Sequence, residues 1–310
     1  MSRPLRLRDF VEDQDGWLYA VAAYDNEERA GCVLRYVPDP TGDRIRRGSG
    51  VRYRKLDFAE AFARVAAEKP AYLDLLCRVP LDEIVAVHRP EEVFPEVLAR
   101  DERVRRLADA LRLEPGTAGC TGSLLVGLEG PTSDIDLVVY GDSFDRARVR
   151  LPGAIREGLV DDLSEDLWQR VYAKRRPELS FEEFRRHEAR KWNRGQVAGT
   201  YFDLLFSRDH AAIDPRPVPK GPVLGRERIE ATVTDASLAY DVPAIYVVDH
   251  PSVSRVLSFT HTYAGQALRG EAIEAAGVLE AHGDERWLVV GTSREPVGEF
   301  IRSTTLLSGA

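Results

Sequence analysis

The chain has 310 residues, enough for two or three domains with a sizeable buried core. Hydrophobic residues at 44% and charged residues at 30% are typical of a globular protein, and no apolar run reaches the roughly 20 residues that a membrane crossing needs. The formal net charge of −8 excludes a protein that coats nucleic acid through bulk positive charge, although it allows a local basic groove.

The cysteines and the N-terminus indicate the compartment. Cys32, Cys77 and Cys120 are an odd number at wide spacing without a CxxC motif, which supports neither a disulfide framework nor a zinc site. The first residues, MSRPLRLRDFVEDQDGW, lack the apolar segment of a signal peptide. We therefore expect a protein of the reducing cytoplasm, in which Cys120 is a small buried side chain.

Residues 1–98 are predicted to form an α/β region that begins with a β-hairpin. Residues 16–24 and 29–37 are rich in strand formers and flank a polar turn. A helix is predicted for residues 56–69, where the apolar side chains fall on one face and a proline follows. The chain then continues mainly helical to about Leu113.

Residues 99–213 are predicted to form the central region. DIDLVVYG, from Asp134, and TYFDLLFS, from Thr200, have the composition of buried strands. The segment between them is predicted to be helical in two pieces, and Ser180 followed by Glu183 fits a capping box at the start of the second piece.

The pattern changes after DPRPVPKGP, residues 214–222, whose four prolines predict a stiff linker. Residues 214–310 are then predicted to form a small domain of five short strands, either a barrel of the oligonucleotide-binding type or a sandwich. The expected fold class is α+β, with a mixed sheet in the central region and this β-rich domain at the C-terminus.

Three acids are the candidate metal ligands. Asp134 and Asp136 flank Ile135 at the start of a strand, and side chains two residues apart on a strand point to the same face. Two unpaired carboxylates there would repel each other, whereas a divalent cation with oxygen ligands removes the conflict. Asp203, alone in an apolar strand, is the candidate third ligand, and a third acid would allow a two-metal site.

Gly122 and Ser123 precede the acids, with ten residues between Ser123 and Asp134. A glycine lets the backbone approach a phosphate closely, and a serine hydroxyl with the N–H groups of a following helix can hold phosphate oxygens. The spacer is long enough for a short helix and a turn, so that both motifs would face one cleft.

The order of these motifs resembles the DNA polymerase β-like nucleotidyltransferase superfamily. The resemblance covers about residues 100–210 and rests on the Gly-Ser pair, the SDIDLVV segment from Ser133 and the later lone Asp203. The flanking segments are similar to those of predicted nucleotidyltransferases seen mainly in archaea.

The resemblance implies an enzyme that uses Mg²⁺ or Mn²⁺ to move an NMP from an NTP to an acceptor and releases pyrophosphate. Asp134, Asp136 and Asp203 would be the metal-binding and catalytic residues. The candidate nucleotide-binding residues are Gly122, Ser123, Ser133, Lys191 and Arg194. Lys191 and Arg194 would neutralise the departing pyrophosphate, or they are ordinary surface charges at a helix end.

The acceptor stays open at the level of sequence. A small molecule suits the overall acidity, whereas an RNA end suits the basic stretches at residues 44–55 and 185–194, unless these are solvated faces. A non-catalytic nucleotide- or nucleic-acid-binding module and a protein-nucleotidylating enzyme are the alternatives. No membrane partner is expected.

Overall fold

The structure, a computed structural model, describes residues 3–214, 216, 218–293 and 297–309. The chain divides into two compact units, unit 1 with Met1–Asp162 and Asn193–Pro217, and unit 2 with Leu163–Trp192 and Val218–Ala310. Both units contain helices and strands, which confirms the α+β class. Within the predicted linker, Pro215 and Pro217 lie outside the described residues. The three-part division at residues 98 and 213 stays a prediction.

Unit 1 begins with a seven-stranded antiparallel sheet. Its strands are β1 Phe10–Asp13, β2 Leu18–Val21, β3 Arg29–Pro38, β4 Arg44–Ile45, β5 Arg52–Lys55, β6 Cys77–Pro80 and β7 Ile84–His88. They are arranged in the order β4-β5-β3-β2-β1-β7, with β6 paired to β3, and the predicted hairpin is present as the pair β2–β3. Helix α1, Phe58–Glu68, begins at a capping box made by Asp57 and Glu60.

This first sheet buries apolar side chains on both faces. On one face Ala61 and Val65 of α1 belong to a core that includes Tyr19 and Leu34. On the other face Phe10, Leu18, Tyr36 and Tyr53 pack with Leu125, Val126 and Leu128, which belong to the segment that follows the Gly-Ser pair. The N-terminal sheet is therefore packed directly against the candidate site.

The second sheet of unit 1 has four strands and is accompanied by helices. The elements are α2 Pro90–Arg100, α3 Glu102–Leu111, β8 Ala118–Cys120, α4 Ser123–Val126, β9 Ile135–Tyr140, α5 Asp142–Arg156, β10 Arg194–Val197 and β11 Thr200–Ser207. The strand order is β10-β11-β9-β8, in which the central strands β9 and β11 are parallel, whereas β8 and β10 are antiparallel to their neighbours. Strand β9 is buried on both faces, which explains its nearly continuous apolar sequence.

The described part of unit 2 contains three α-helices and a six-stranded sheet in the order β12-β13-β14-β16-β15-β17. The long first strand also pairs with β15, so the pairings of five strands close a ring, in which β14 and β16 are parallel. The elements are α6 Glu165–Arg175, α7 Phe181–Ala189, β12 Val223–Leu238, β13 Ala244–Asp249, β14 Arg255–Ser258, β15 Ala272–His282, β16 Glu285–Val290, β17 Phe300–Ser303 and α8 Thr304–Ser308.

Helix α7 begins at the predicted capping box of Ser180 and Glu183. Its buried His187 lies with Nδ1 2.6 Å from the Glu183 carbonyl oxygen, and Nε2 accepts a hydrogen bond from the Ser303 N–H at 2.8 Å. Burial lowers the pKa of His187 to about 4. The imidazole is therefore neutral near pH 7 and has a structural role.

None of the helices in the described part of the chain combines the length and the apolar content that a membrane crossing requires.

The packing of β8 against α2 gives a test of the fold next to the site. A Cβ on Gly119 would lie 2.2 Å from the carbonyl carbon and 2.4 Å from the carbonyl oxygen of Pro90, whereas nothing lies within 4 Å of a Cβ on Gly116. We expect Gly119→Ala to lower the free energy of unfolding by about 3 kcal/mol, because the helix must move. Gly116→Ala should cost about 1–2 kcal/mol, from its positive φ alone. Urea unfolding of both variants measures the difference, and equal losses would contradict this packing.

Candidate active site

Two of the three candidate acids lie side by side. Asp136 on β9 is directly paired with Asp203 on the parallel strand β11. Adjacent strands are about 4.8 Å apart and paired residues point to the same face, so the two carboxylates share one side of the sheet. The side chain of Asp203 is only 14% exposed. The structure thus brings together acids that are 67 positions apart in the chain.

Asp134 is exposed and immediately precedes β9. The turn before it is held by Ser133, whose hydroxyl oxygen accepts a hydrogen bond from the Gly130 N–H at 2.9 Å. The Arg44 guanidinium donates to the same hydroxyl at 3.2 Å and to the Leu128 carbonyl at 3.4 Å. Ser133 and Arg44 therefore position the acidic segment.

The Gly-Ser pair lies against the acids. Gly122 has a φ of 65°, and a Cβ there would lie 3.0 Å from Oδ2 of Asp136, so both the backbone conformation and the close approach favour glycine. The Thr121 N–H donates to the Asp136 carbonyl at 2.9 Å. Ser123 is the first residue of α4, and its side chain lies beside buried Tyr36 of the N-terminal sheet.

Cys120, one residue before Thr121, is fully buried and unbonded to another cysteine. Burial raises the pKa of its thiol, which keeps it protonated. It is a small core residue, as the sequence predicts.

The two predicted pyrophosphate cations have different surroundings. Arg194 on β10 is paired in register with Asp203, and its Nη2 lies 3.6 Å from Oδ1 of that acid. Lys191 belongs to unit 2, where its buried ammonium contacts the Glu188 carboxylate and donates to the Thr262 carbonyl at 3.0 Å. The nucleotide-binding roles of both residues stay predictions.

The N-terminal sheet region supplies cations that sequence reasoning missed. Burial lowers the pKa of the Arg8 guanidinium, and the charges of Asp136 and Asp203 act in the opposite direction, so both acids lie within electrostatic range of Arg8. Arg44 belongs to a basic stretch that is visible in the sequence. Arg8 has no comparable signal, because its position depends on a contact with Thr121.

The acidic pair fits a hard divalent cation. Within the described ranges no group of three or more His, Cys, Asp or Glu side chains is assembled for a metal. However, Mg²⁺ commonly binds through one or two carboxylates and completes its shell with water and substrate phosphates. The buried Oδ1 of Asp203 accepts no hydrogen bond from the residues that the structure describes, so it is available as a ligand. The residues present therefore match the ion that the motif predicts.

Comparison with known proteins gives a family and a relative. The nucleotidyltransferase domain family matches residues 103–195, which include Gly122, Ser123, Asp134 and Asp136 but end before Asp203. An uncharacterized protein of Methanocaldococcus jannaschii is 36% identical over 335 aligned positions, which cover 96% of this chain and 98% of that protein. No solved structure matches the chain.

Metal binding tests the acidic pair directly. We expect Asp203→Asn to raise the dissociation constant for Mn²⁺ at least about tenfold, because a charged oxygen ligand is lost. Asp142→Asn is the matched control, since Asp142 is an exposed acid just beyond the opposite end of β9. Titration followed by the electron paramagnetic resonance of free Mn²⁺ measures both constants. Equal affinities in the two variants would remove Asp203 from the site.

Proposed function

The chain belongs to the nucleotidyltransferase domain family, and from this premise we propose that it transfers an NMP from an NTP to a hydroxyl or phosphate acceptor, with Mg²⁺ or Mn²⁺, and releases pyrophosphate. Membership of the family makes it an enzyme with an NTP as substrate. The observation that carries the finer proposal is the register of Asp136 and Asp203 against the Gly122 turn.

Asp136 and Asp203 would hold the divalent ions, with exposed Asp134 as a further ligand. Such ions, when bound, neutralise the phosphates and favour ionisation of the acceptor hydroxyl. Arg194, 3.6 Å from Asp203, balances part of the negative charge of the pair in the absence of substrate.

Positioning of the triphosphate is the main task left to the chain. Gly122 leaves the backbone accessible, and the Ser123 hydroxyl would donate to a phosphate oxygen. Most of the rate enhancement would come from fixed geometry and fixed charge, as in phosphoryl transfer generally. The fixed groups belong to packed strands and to a turn that Arg44 ties down, so little reorganisation is needed.

The basic hairpin β4–β5 favours an acceptor that carries phosphates, such as an RNA end or a nucleotide. It is attached to the Gly-Ser segment, because the Arg47 N–H donates to the Gly127 carbonyl at 2.8 Å and the Arg47 side chain pairs with Glu129. The side chains of Arg47 and Arg54 are each 46% exposed despite their acidic neighbours. Charge of this kind attracts a phosphate backbone.

The second basic stretch offers less free charge, since Arg190 is paired with Glu271 and Arg186 donates to the Leu306 and Leu307 carbonyls. In unit 2 the closed ring of strand pairings supports a small barrel of the oligonucleotide-binding type, which would present the acceptor. A cytoplasmic location is part of the proposal, and the free, buried cysteines are consistent with a reducing compartment.

Label transfer tests the proposal. The full chain is incubated with each α-³²P-labelled NTP, Mg²⁺ or Mn²⁺, and separate pools of RNA, small metabolites and protein. We expect labelled product with one of the first two pools, together with pyrophosphate. Asp136→Asn should lower the rate at least about 10²–10³-fold, because the charge at the reacting phosphate is no longer balanced.

Asp142→Asn should keep the wild-type rate, and thermal unfolding should show that both variants are folded. Undiminished turnover by Asp136→Asn would refute the assignment of the site. Label on the protein pool alone would replace the proposed acceptor class with protein.

A further inference from the structure

Arg8 is tied to the site through its backbone. Its carbonyl accepts a hydrogen bond from the Thr121 hydroxyl at 2.7 Å, and its N–H donates to the Val21 carbonyl at 3.0 Å. The Thr121 N–H in turn donates to the backbone carbonyl of Asp136. Arg8 also has a φ of 78°, a left-handed conformation that is uncommon for a residue with a side chain. One residue thus fixes both Arg8 and Asp136 next to Gly122.

The Arg8 side chain lies within electrostatic range of the acids and has hydrogen-bonding capacity left over. The charges of Asp136 and Asp203 act on its guanidinium, as do Tyr24 and Arg35. Its buried Nε has no hydrogen-bond partner in the described part of the chain. A buried guanidinium N–H without an acceptor is costly, so a ligand that supplies acceptors there is favoured.

Arg6, two residues earlier, is the comparison within the same segment, and its buried Nε likewise has no hydrogen-bond partner in the described part of the chain. It is 3% exposed, its Nη2 lies 2.6 Å from Oε2 of Glu91, and its guanidinium stacks 3.6 Å from the centre of the Tyr140 ring. The Arg6 guanidinium thus lies against a carboxylate and a ring that are outside the candidate site, whereas the acids that act on Arg8 are the candidate metal ligands.

We propose that Arg8 is a phosphate-binding residue of the NTP site, which balances Asp136 and Asp203 in the empty enzyme and binds the triphosphate when divalent ions occupy those carboxylates. This inference rests on the proposed function. A guanidinium suits the task because its planar donors bind two phosphate oxygens at once. The N-terminal segment, which lies outside the part of the chain matched by the family, would then complete the nucleotide site.

The proposal predicts two opposite effects of removing the charge. In Arg8→Gln we expect Mn²⁺ alone to bind more tightly, by about tenfold, because a like charge beside its ligands is gone. Inorganic tripolyphosphate with Ca²⁺ should bind at least about tenfold more weakly, because charge-assisted hydrogen bonds are lost. Arg8→Lys keeps the charge, so its Mn²⁺ affinity should be that of the wild type while tripolyphosphate binding weakens severalfold. Isothermal titration of the full chain measures all these constants.

Arg6→Gln is the matched control, which should lower the unfolding temperature without the opposite shifts. Unchanged or weaker Mn²⁺ binding in folded Arg8→Gln, or unchanged tripolyphosphate binding, would overturn the proposal. If Arg8→Gln does not fold, wild-type tripolyphosphate affinity in Arg8→Lys overturns it instead. A wild type that binds no tripolyphosphate and forms no labelled product refutes the proposed function. An active wild type whose Arg8 variants keep wild-type affinities for Mn²⁺ and tripolyphosphate refutes only the role of Arg8.

Discussion

The carboxylates of Asp136 and Asp203 lie next to each other on paired parallel strands in a largely buried place, where like charges repel. The register that brings them together runs along the whole length of the two strands, from Phe202 opposite Ile135 to Ser207 opposite Tyr140, and most of these side chains are buried. The sheet therefore keeps the two carboxylates together despite their repulsion, and nearby positive charge must compensate for their negative charge. Arg194 lies 3.6 Å from Asp203 and Arg8 is within electrostatic range of both acids, and divalent ions would complete the balance when substrate binds.

The N-terminal sheet is part of this arrangement. Its apolar face packs on the segment after Gly122, Tyr36 contacts Ser123, and Arg44 holds the turn before Asp134. Unit 1 is thus one electrostatic and packing system, which extends well beyond the residues that the nucleotidyltransferase family matches. The chain belongs to that family and is a nucleotidyltransferase. We infer that its N-terminal region, which lies outside the matched residues, contributes Arg8 to nucleotide binding.

Local sequence was sufficient to predict that Asp136, Asp203 and Gly122 lie near one another. A lone acid in an apolar strand is costly without a partner, so the sequence alone predicts that Asp203 lies with Asp136. Arg8 could not be predicted, because its position depends on a hydrogen bond from Thr121, 113 residues away. The ion pair between Lys191 and Glu188 could have been predicted from the sequence, since the two residues are three positions apart and lie on the same helical face. The closed pairing in unit 2 depends on the parallel pair β14–β16, which spacing along the chain does not reveal.

Diffraction from crystals grown with Mn²⁺ and an NTP that cannot be cleaved at the α-phosphate tests the central claim most directly. The anomalous signal of manganese locates the ion without reference to any assumed chemistry. Our account predicts a peak in direct coordinating distance of oxygens from both Asp136 and Asp203, with the triphosphate beside Gly122 and Ser123. A bound nucleotide with no peak at these carboxylates, or a peak elsewhere in the molecule, would contradict it.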